Sequence, residues 1–491
     1  MKVLLVNPPI PSFFYNREFY FPSSLLSLGA VLQQKGHEPY ILDLKTFQRG
    51  DTDPADSFYA ARLLDVIERF QPDLLGFGCL FSGNFPDVLD LSKAVKQARP
   101  EIPVLMGGIH ATLYVREILS NCASIDGIVL GEGEDTIVRI VDALDAGRPW
   151  HHISGFGCRV DGQVIVHPKS DYIEDIDRLP MPAYDLIDVR DYFMDTSAWH
   201  NPKGLPIHTS VPILSSRSCP NRCRFCSMYR VMGPRWRARS AGRVLDEIEY
   251  VYHTYGLRHF SFMDDNVTLD KSRMMRMCQG ILDRGLDLQF ETPNGVSVRT
   301  LDQELMDAMV DAGMVRISLA IESGSEYIRN KIMNKRLSNE KIYEILALTR
   351  RYPQLYVTVF FLIGMPEETR ESLEETYRMI ERIEAHKTII MNLVPFPGTA
   401  VFQQAVRDHL LTGVDPERLY LANDRYFTNY DQIFLKPYAL DCDEIGRFRE
   451  RCDRLLKDMK QTSGHKEHVT SAIRSVAVPG ARSREHHPIV Q

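Results

Sequence analysis

Cys219, Cys223 and Cys226 fall within the run Ser218-Cys219-Pro220-Asn221-Arg222-Cys223-Arg224-Phe225-Cys226. Three thiolates at this C-x3-C-x2-C spacing can hold three irons of a 4Fe-4S cube, a cluster that ordinarily takes four cysteines. The fourth iron then has no protein ligand from this loop and can take a small molecule. An open iron on a low-potential cluster can deliver an electron to whatever binds there. A structural zinc site is the other reading. It needs a fourth ligand, which His208 or His253 could supply, but no second C-x2-C pair follows at zinc-ribbon spacing.

The chain around this loop alternates strands and helices. In residues 1–150, apolar runs at Val3–Val6, Tyr40–Leu44, Leu74–Gly78, Val104–Met106 and Gly127–Leu130 read as strands of a parallel sheet, with amphipathic helices between them. Two of these runs stop at Gly107-Gly108-Ile109-His110-Ala111-Thr112 and at Gly131-Glu132-Gly133-Glu134. Glycines at the carboxyl ends of strands let backbone approach a ligand, at the edge where open α/β sheets bind one. Alone, they also make tight strand–helix turns. Residues 151–205 are rich in acids and prolines and read as a linker. A second alternating series fills 206–405, with strands expected at Ile213–Ser215, His259–Met263, Leu288–Glu291, Val315–Ala320, Val357–Ile363 and Thr388–Leu393. Six strand–helix units predict a partial (β/α)6 TIM barrel, whose chemistry sits at the carboxyl ends of its strands. Residues 406–460 form a small C-terminal region. Its aromatics (Tyr420, Tyr426, Phe427, Tyr430, Phe434 and Tyr438) could meet substrate or simply pack. The tail 461–491, with His486 and His487, has few large apolar residues and is expected to be disordered.

The cysteine spacing, with Phe225 before the third cysteine, resembles the signature of the radical S-adenosylmethionine (radical SAM) superfamily. The elements of residues 1–150, with Ser82, Asn84, Gly107, Gly108, His110, Thr112, Gly131 and Glu132 at strand ends, resemble the Rossmann-like cobalamin-binding domain found on many members. The resemblance spans roughly residues 1–405. It implies that SAM chelates the open iron and is cleaved to a 5'-deoxyadenosyl radical. It also implies that SAM is held by Phe225, Asp264, Asp265, Asn266, Glu322, Ser323, Gly324, Gly364 and Glu368, with Lys335 and Pro395-Phe396-Pro397-Gly398-Thr399 at family-like positions. Asp264-Asp265-Asn266 stands where the family usually has Gly-Gly-Glu, as in many cobalamin-linked members; the same residues could instead cap the next helix. The D-x-H-x-x-G motif that ligates cobalt from below is absent, and the Ile10–Tyr15 loop has no histidine. Cobalamin is therefore expected base-off.

Composition narrows the function further. The chain has 491 residues, a net charge of −7 and 44% hydrophobic content, with no nucleic-acid footprint. It has no apolar stretch of the roughly 18 residues a membrane span needs. The five arginines between Arg230 and Arg243 follow the cluster loop and read as a solvated or cluster-side face. The six remaining cysteines are scattered, as in reduced, cytoplasmic proteins. The expected partners are a small-molecule substrate and an external electron donor such as a flavodoxin, a ferredoxin or another reductase. The resemblance implies cobalamin-dependent methyl transfer to carbon as the commonest chemistry, with ring formation on a tetrapyrrole-like substrate as a second outcome. Two further readings stand beside it: a cobalamin-independent lyase, dehydratase or epimerase with a vestigial N-terminal domain, and a non-enzymatic cobalamin or redox sensor.

Overall fold

The structure, a computed structural model, describes residues 1–10, 20–47, 57–422, 426–427 and 431–463. Most of the Ile10–Tyr15 loop, Tyr430, His486 and His487 lie outside the described residues.

The N-terminal unit is built on strands β1 (Lys2–Asn7), β2 (Glu38–Asp43), β3 (Leu74–Gly78), β4 (Val104–Gly107) and β5 (Gly127–Val129). They pair in parallel in the order β2-β1-β3-β4-β5. Helices Ser23–Gln34, Phe58–Phe70, Phe85–Ala98 and Glu134–Asp145 cover the sheet. The central strands are buried on both faces, so Val3–Val6 reads as an unbroken apolar run and not an alternating one. This order reverses between β1 and β3, which makes their carboxyl ends the crevice of the sheet. Within the stretch read as linker, β6 (Phe156–Val160) and β7 (Gln163–His167) form an antiparallel hairpin that extends the same sheet. The rest of that stretch straps the two halves together. The Tyr192 hydroxyl donates to Asp43 of the first unit at 2.7 Å, and the Tyr184 hydroxyl donates to Glu247 on the first barrel helix at 2.7 Å.

The second unit is a parallel sheet of β8 (Val211–Ile213), β11 (His259–Phe262), β12 (Gln289–Val296), β13 (Met314–Glu322), β14 (Tyr356–Ile363) and β15 (Lys387–Asn392), in chain order. Among the described residues β8 and β15 do not pair, so the barrel is open, as six units predict. A two-stranded ribbon, β9 (Ser216–Arg217) and β10 (Arg237–Ala238), brackets the cysteine loop. One apolar cluster runs through both units, from Leu5 and Ile41 to Ile213 and Phe260.

The C-terminal region packs back on both units. Helix Cys442–Ser463 lies against helix Arg370–Arg382, and Arg451 forms a paired bond to Glu374 at 2.7 and 3.0 Å. Tyr426, Phe427 and Phe434 are buried against the core of the N-terminal unit, so packing accounts for them. Tyr438 stays exposed. Among the described residues no helix is long and apolar enough to cross a membrane.

Gly324 marks how tightly the barrel helices seat. A Cβ there would fall 2.4 Å from Thr376 Cα and 2.5 Å from Glu375 O, backbone atoms of helix Arg370–Arg382. Gly324→Ala should therefore destabilise the protein by about 1–3 kcal/mol through overpacking. Gly446→Ala should be neutral or stabilising by about 1 kcal/mol, since its Cβ meets nothing within 4 Å inside a helix. Urea midpoints of the two variants check this; equal shifts would refute the packing account.

Candidate functional site

The cysteine loop begins where β8 ends and is fixed at its root by Asp264. This carboxylate, at the end of β11, accepts Ser215 N–H at 3.2 Å, the Ser215 hydroxyl at 2.7 Å and the Ser216 hydroxyl. Ser218 and Arg222 hold the left-handed backbone conformation, with φ of 68° and 49°. Such strain in residues other than glycine persists only where surroundings over-determine it. Here they do. The Ser218 hydroxyl donates to Gly233 O at 2.6 Å, Arg224 N–H to Met333 O at 3.1 Å, Val401 N–H to Arg224 O at 3.2 Å, and the Arg224 guanidinium to Gln404 at 2.6 Å.

The three thiols share one electrostatic environment. Burial pushes all three up, Cys223 to about 11 and Cys226 to about 12, and each is pushed further by a neighbouring anion or thiol. Lys335 stands beside Cys223 and Cys226, bonded to Glu322 at 2.6 Å. Burial works against its charge, but Glu322 and the two sulfurs hold its pKa above the ordinary value. Among the described residues no three or more His, Cys, Asp or Glu side chains close on a single-ion position. His208 precedes β8, and His253 is in the last turn of the helix leading to β11. Both are at the amino ends of the strands, opposite the cysteines, so neither completes a zinc site. Soft sulfur donors on one loop, with nothing else of that kind nearby, fit three corners of an iron–sulfur cube.

The residues expected around SAM divide into two groups. Asp265 and Asn266 face the cysteines. Asp265 is pushed up to about 6 by burial and then by Asp264, and it acts on Cys219 and Cys226. Asn266 is buried beside Cys219, with its side-chain amide within reach of that sulfur, and its amide O has no hydrogen-bond partner. Glu322, at φ 73°, ends β13 with its carboxylate on Lys335. Glu368 folds back to accept Gly364 N–H at 2.6 Å and Met365 N–H at 3.2 Å. Burial pushes this carboxyl up to about 7, and its Oε1 has no partner. Phe225 packs with Met333, Leu362, Met365 and Leu393. The other group is committed to the fold. Asp264 is used up at Ser215 and Ser216. Ser323 shares its hydroxyl with Thr376 at 3.3 Å and Ser325 N–H at 3.1 Å, and Gly324 admits the helix behind it. In these three the polar atoms and the space serve the fold.

The cobalamin set divides in the same way. Gly108, at φ 107°, would place a Cβ 2.3 Å from Cys79 O, so the glycine is required by the protein's own backbone. Thr112 donates to Gly108 O at 2.8 Å and accepts Gly131 N–H at 3.0 Å, which ties the ends of β4 and β5. A Cβ on Gly131 would lie 2.8 Å from Val231 O of the barrel unit. His110 is buried against the Phe85 and Tyr114 rings. Its Nε2–H donates to Tyr420 O at 2.9 Å, and burial pushes its pKa down to about 3. Asn84 donates to Pro9 O at 2.8 Å, closing the crevice floor between β1 and β3. Ser82 and Gly107 keep space around them. Sequence reasoning passed over Leu80 and Phe81, which follow β3 at the crevice and are 49% and 53% exposed. Their only signal was an apolar pair beyond a strand end. Two large apolar side chains exposed together there suit a large apolar ligand face, so the crevice fits a corrin.

Glu132 and Glu134 belong to neither ligand set. Arg217, two residues before Cys219, bonds Glu134 at 2.6 and 3.2 Å and lies 3.2 Å from Glu132. Arg237 bonds Glu132 at 2.7 Å and Ile173 O at 2.7 Å. Both carboxylates are buried, and they join the end of β5 to the ribbon around the cysteine loop. Glu132 thus joins the two units through Arg217 and Arg237.

Comparison with known proteins agrees with the two-unit architecture. Residues 213–380 match the model of the radical SAM superfamily, and residues 18–141 match that of the B12 binding domain. The chain is 29% identical to an uncharacterised methyltransferase of Pyrococcus horikoshii, over 90% of this chain and 94% of that one. It is 27% identical to the cytidylyl-2-hydroxyethylphosphonate methyltransferase of Streptomyces wedmorensis, over 94% and 92%. The fold matches that of the radical S-adenosylmethionine methyltransferase TsrM of Kitasatospora setae, solved with cobalamin and a 4Fe-4S cluster bound. That match has a TM-score of 0.72 and 18% identity, over 94% of this chain and 89% of that one.

The ion cluster gives a pH prediction. Burial alone would raise Glu134, but Arg217 and the Ser27 hydroxyl hold it down at about 2. Its ionised form therefore stabilises the fold fully above the ordinary carboxylate pKa and loses that contribution as pH falls toward 2. The shift corresponds to about 3 kcal/mol at neutral pH. Glu134→Gln should lower the urea midpoint at pH 7, and the gap from wild type should narrow by about 1 kcal/mol at pH 3.5. A gap that stays constant between these pH values would contradict it.

Proposed function

We propose, for a chain that belongs to the radical SAM superfamily and carries a B12-binding domain ahead of its barrel, cobalamin-dependent methyl transfer to a carbon atom of a small-molecule substrate. The observation that carries this is the buried Arg217–Glu132–Glu134 cluster, which fastens the root of the cysteine loop to the strand-end face of the B12-binding unit. A radical site and a methyl donor must act on one substrate carbon, and this junction brings their two sites to one place. The methyltransferase relatives, which cover nearly the whole chain, support the same reading. When bound, the cluster supplies the electron that cleaves SAM, and cobalamin carries the methyl group.

The chain's own residues would divide the work as follows. Cys219, Cys223 and Cys226 hold three irons as thiolates. Asp265 and the Asn266 amide oxygen would receive the methionine amino group, while Lys335, oriented by Glu322, would meet its carboxylate. Phe225, Gly364 and the Glu368 carboxyl would line the adenine side. Leu80, Phe81, Ser82 and Gly107 face the corrin. His110 is buried and its Nε2–H is held by Tyr420 O, so it would not serve as a lower ligand, and the cofactor would bind base-off. An external reductase supplies electrons.

Anaerobic reconstitution with iron, sulfide and hydroxocobalamin, followed by SAM and reductant, tests this. Both 5'-deoxyadenosine and S-adenosylhomocysteine should form. Alanine at Cys219, Cys223 or Cys226 should abolish the cluster and both products, whereas Cys442→Ala and Cys452→Ala should retain them. One zinc without sulfide would end the radical reading. 5'-Deoxyadenosine alone, with no cobalamin retained, would convert it to a cobalamin-independent lyase or epimerase.

The cobalamin spectrum is a separate check. The bound cofactor should show base-off absorption, unchanged in His110→Phe. A His-on spectrum in the wild type, lost in that variant, would overturn the placement of His110.

A further inference from the structure

A cavity of about 490 Å³ opens outside the barrel, where the connector, β10 and two helix starts meet. Helix Ala241–Tyr255 and helix Lys271–Asp283 both begin at it. Each follows a barrel strand, so both amino ends stand on the strand-end face, the face of the cysteine loop. Helix amino ends present N–H groups and partial positive charge to an anion.

Two buried donors in the lining independently lack an acceptor. Arg273 is 3% exposed; its Nε donates to Arg239 O at 2.6 Å and its Nη2 to Ser215 O at 2.7 Å, while Nη1 has no partner. Trp236 Nε1 is also buried and unpartnered. A buried N–H without an acceptor is costly, and native folds rarely leave one. Arg276 is exposed at the rim and has no ion pair among the described residues. Gly242 leaves room, since a Cβ there would meet nothing within 4 Å. The two acids in the lining are already engaged as caps: Asp177 accepts Ser240 N–H and Asp270 accepts Arg273 N–H, both at 2.9 Å. Neither bonds Arg273 Nη1 or Trp236 Nε1, although the charges of Asp264, Asp270 and Asp177 act on the Arg273 guanidinium.

The geometry points to an oxyanion site here, taking a phosphate group between Trp236 Nε1, Arg273 Nη1 and the Arg276 guanidinium. A tetrahedral phosphate offers more acceptor oxygens to such donors than a planar carboxylate does. The site is connected to the cluster, because Arg273 holds Ser215 O and Asp264 holds Ser215 N–H, four residues before Cys219. The phosphate could come from a phosphorylated substrate or effector, or from the nucleotide phosphate of cobalamin itself.

Calorimetry of the full, cluster-reconstituted chain with inorganic phosphate, against chloride at matched ionic strength, tests the site. Saturable binding is expected. Arg276→Glu should weaken it at least tenfold, and Trp236→Phe severalfold, with iron content unchanged. Arg276 is exposed and the tryptophan change is conservative, so both variants should fold. Repetition after cobalamin loading separates the sources. Loss of phosphate binding assigns the site to the cofactor's own phosphate; retention assigns it to a separate phosphorylated ligand. No saturable heat, or unchanged affinity in Arg276→Glu, would overturn the proposal.

Discussion

Much of this protein turns on where Arg217 can put its charge. The side chain is buried between Glu132 and Glu134, two residues before the first cysteine. A buried ion pair gains little net stability over a hydrophobic contact, but breaking one strands a charge and costs about 3–5 kcal/mol. Such an interaction fixes position more than it adds strength. Here it fixes the cysteine loop relative to a different folding unit, and Arg237 repeats the tie from the other strand of the ribbon. The tyrosines of the connector do the same at lower charge, Tyr192 on one unit and Tyr184 on the other. The relation between the two units is thus set by buried polar bonds as well as by the shared apolar cluster.

Inside the barrel unit, polar residues at strand ends alternate between building the loop and facing what it holds. Asp264 spends both oxygens on Ser215 and Ser216, while its neighbours Asp265 and Asn266 remain turned toward the cysteines. Ser323 and Gly324 serve the helix behind them, while Glu322 directly before them orients Lys335. One residue along a strand end therefore separates a structural part from a ligand-facing one. The fully buried Asp264 and its hydroxyl donors make a rigid root, and the left-handed Ser218 and Arg222 become affordable because of it.

That alternation explains what the sequence could convey. The two sheets, their order along the chain and the cysteine loop were legible, because apolar runs, strand-end glycines and C-x3-C-x2-C are local patterns. β8 lies two residues earlier than expected, since Ser215 is drawn out of the strand by Asp264. The hairpin at Phe156–His167 was hidden in a stretch whose acids and prolines signal a linker only farther on. Roles that depend on long-range partners were not legible. Glu132 and His110 were both expected at cobalamin; the partners that hold them, Arg217 and Arg237 for the one and Tyr420 O for the other, come from beyond residue 210. Gly108 was expected there too, and the constraint on it in the fold is the Cys79 carbonyl, set by the neighbouring strand. Leu80 and Phe81 were missed because an exposed apolar pair is indistinguishable in sequence from a buried one.

The ionisable groups around the cysteines make one further point about what this site can bind. Burial alone raises every acid and lowers every base, so the raised Cys223, Cys226 and Asp265 do not by themselves reveal the sign of the field. Lys335 does. It is buried, yet its pKa rises, so the Glu322 carboxylate and the two sulfurs outweigh its desolvation. The site is therefore both poorly solvated and dominated by potential anions. Deprotonating three thiols there is unfavourable unless cations arrive with them, which couples thiolate formation to iron. With the irons bound, Asp265 and Asn266 still face the same space without a cation of their own, and Lys335 is already matched to Glu322. The unmet demand is for a positive group on the Asp265 side, which is what the amino group of the proposed ligand would bring.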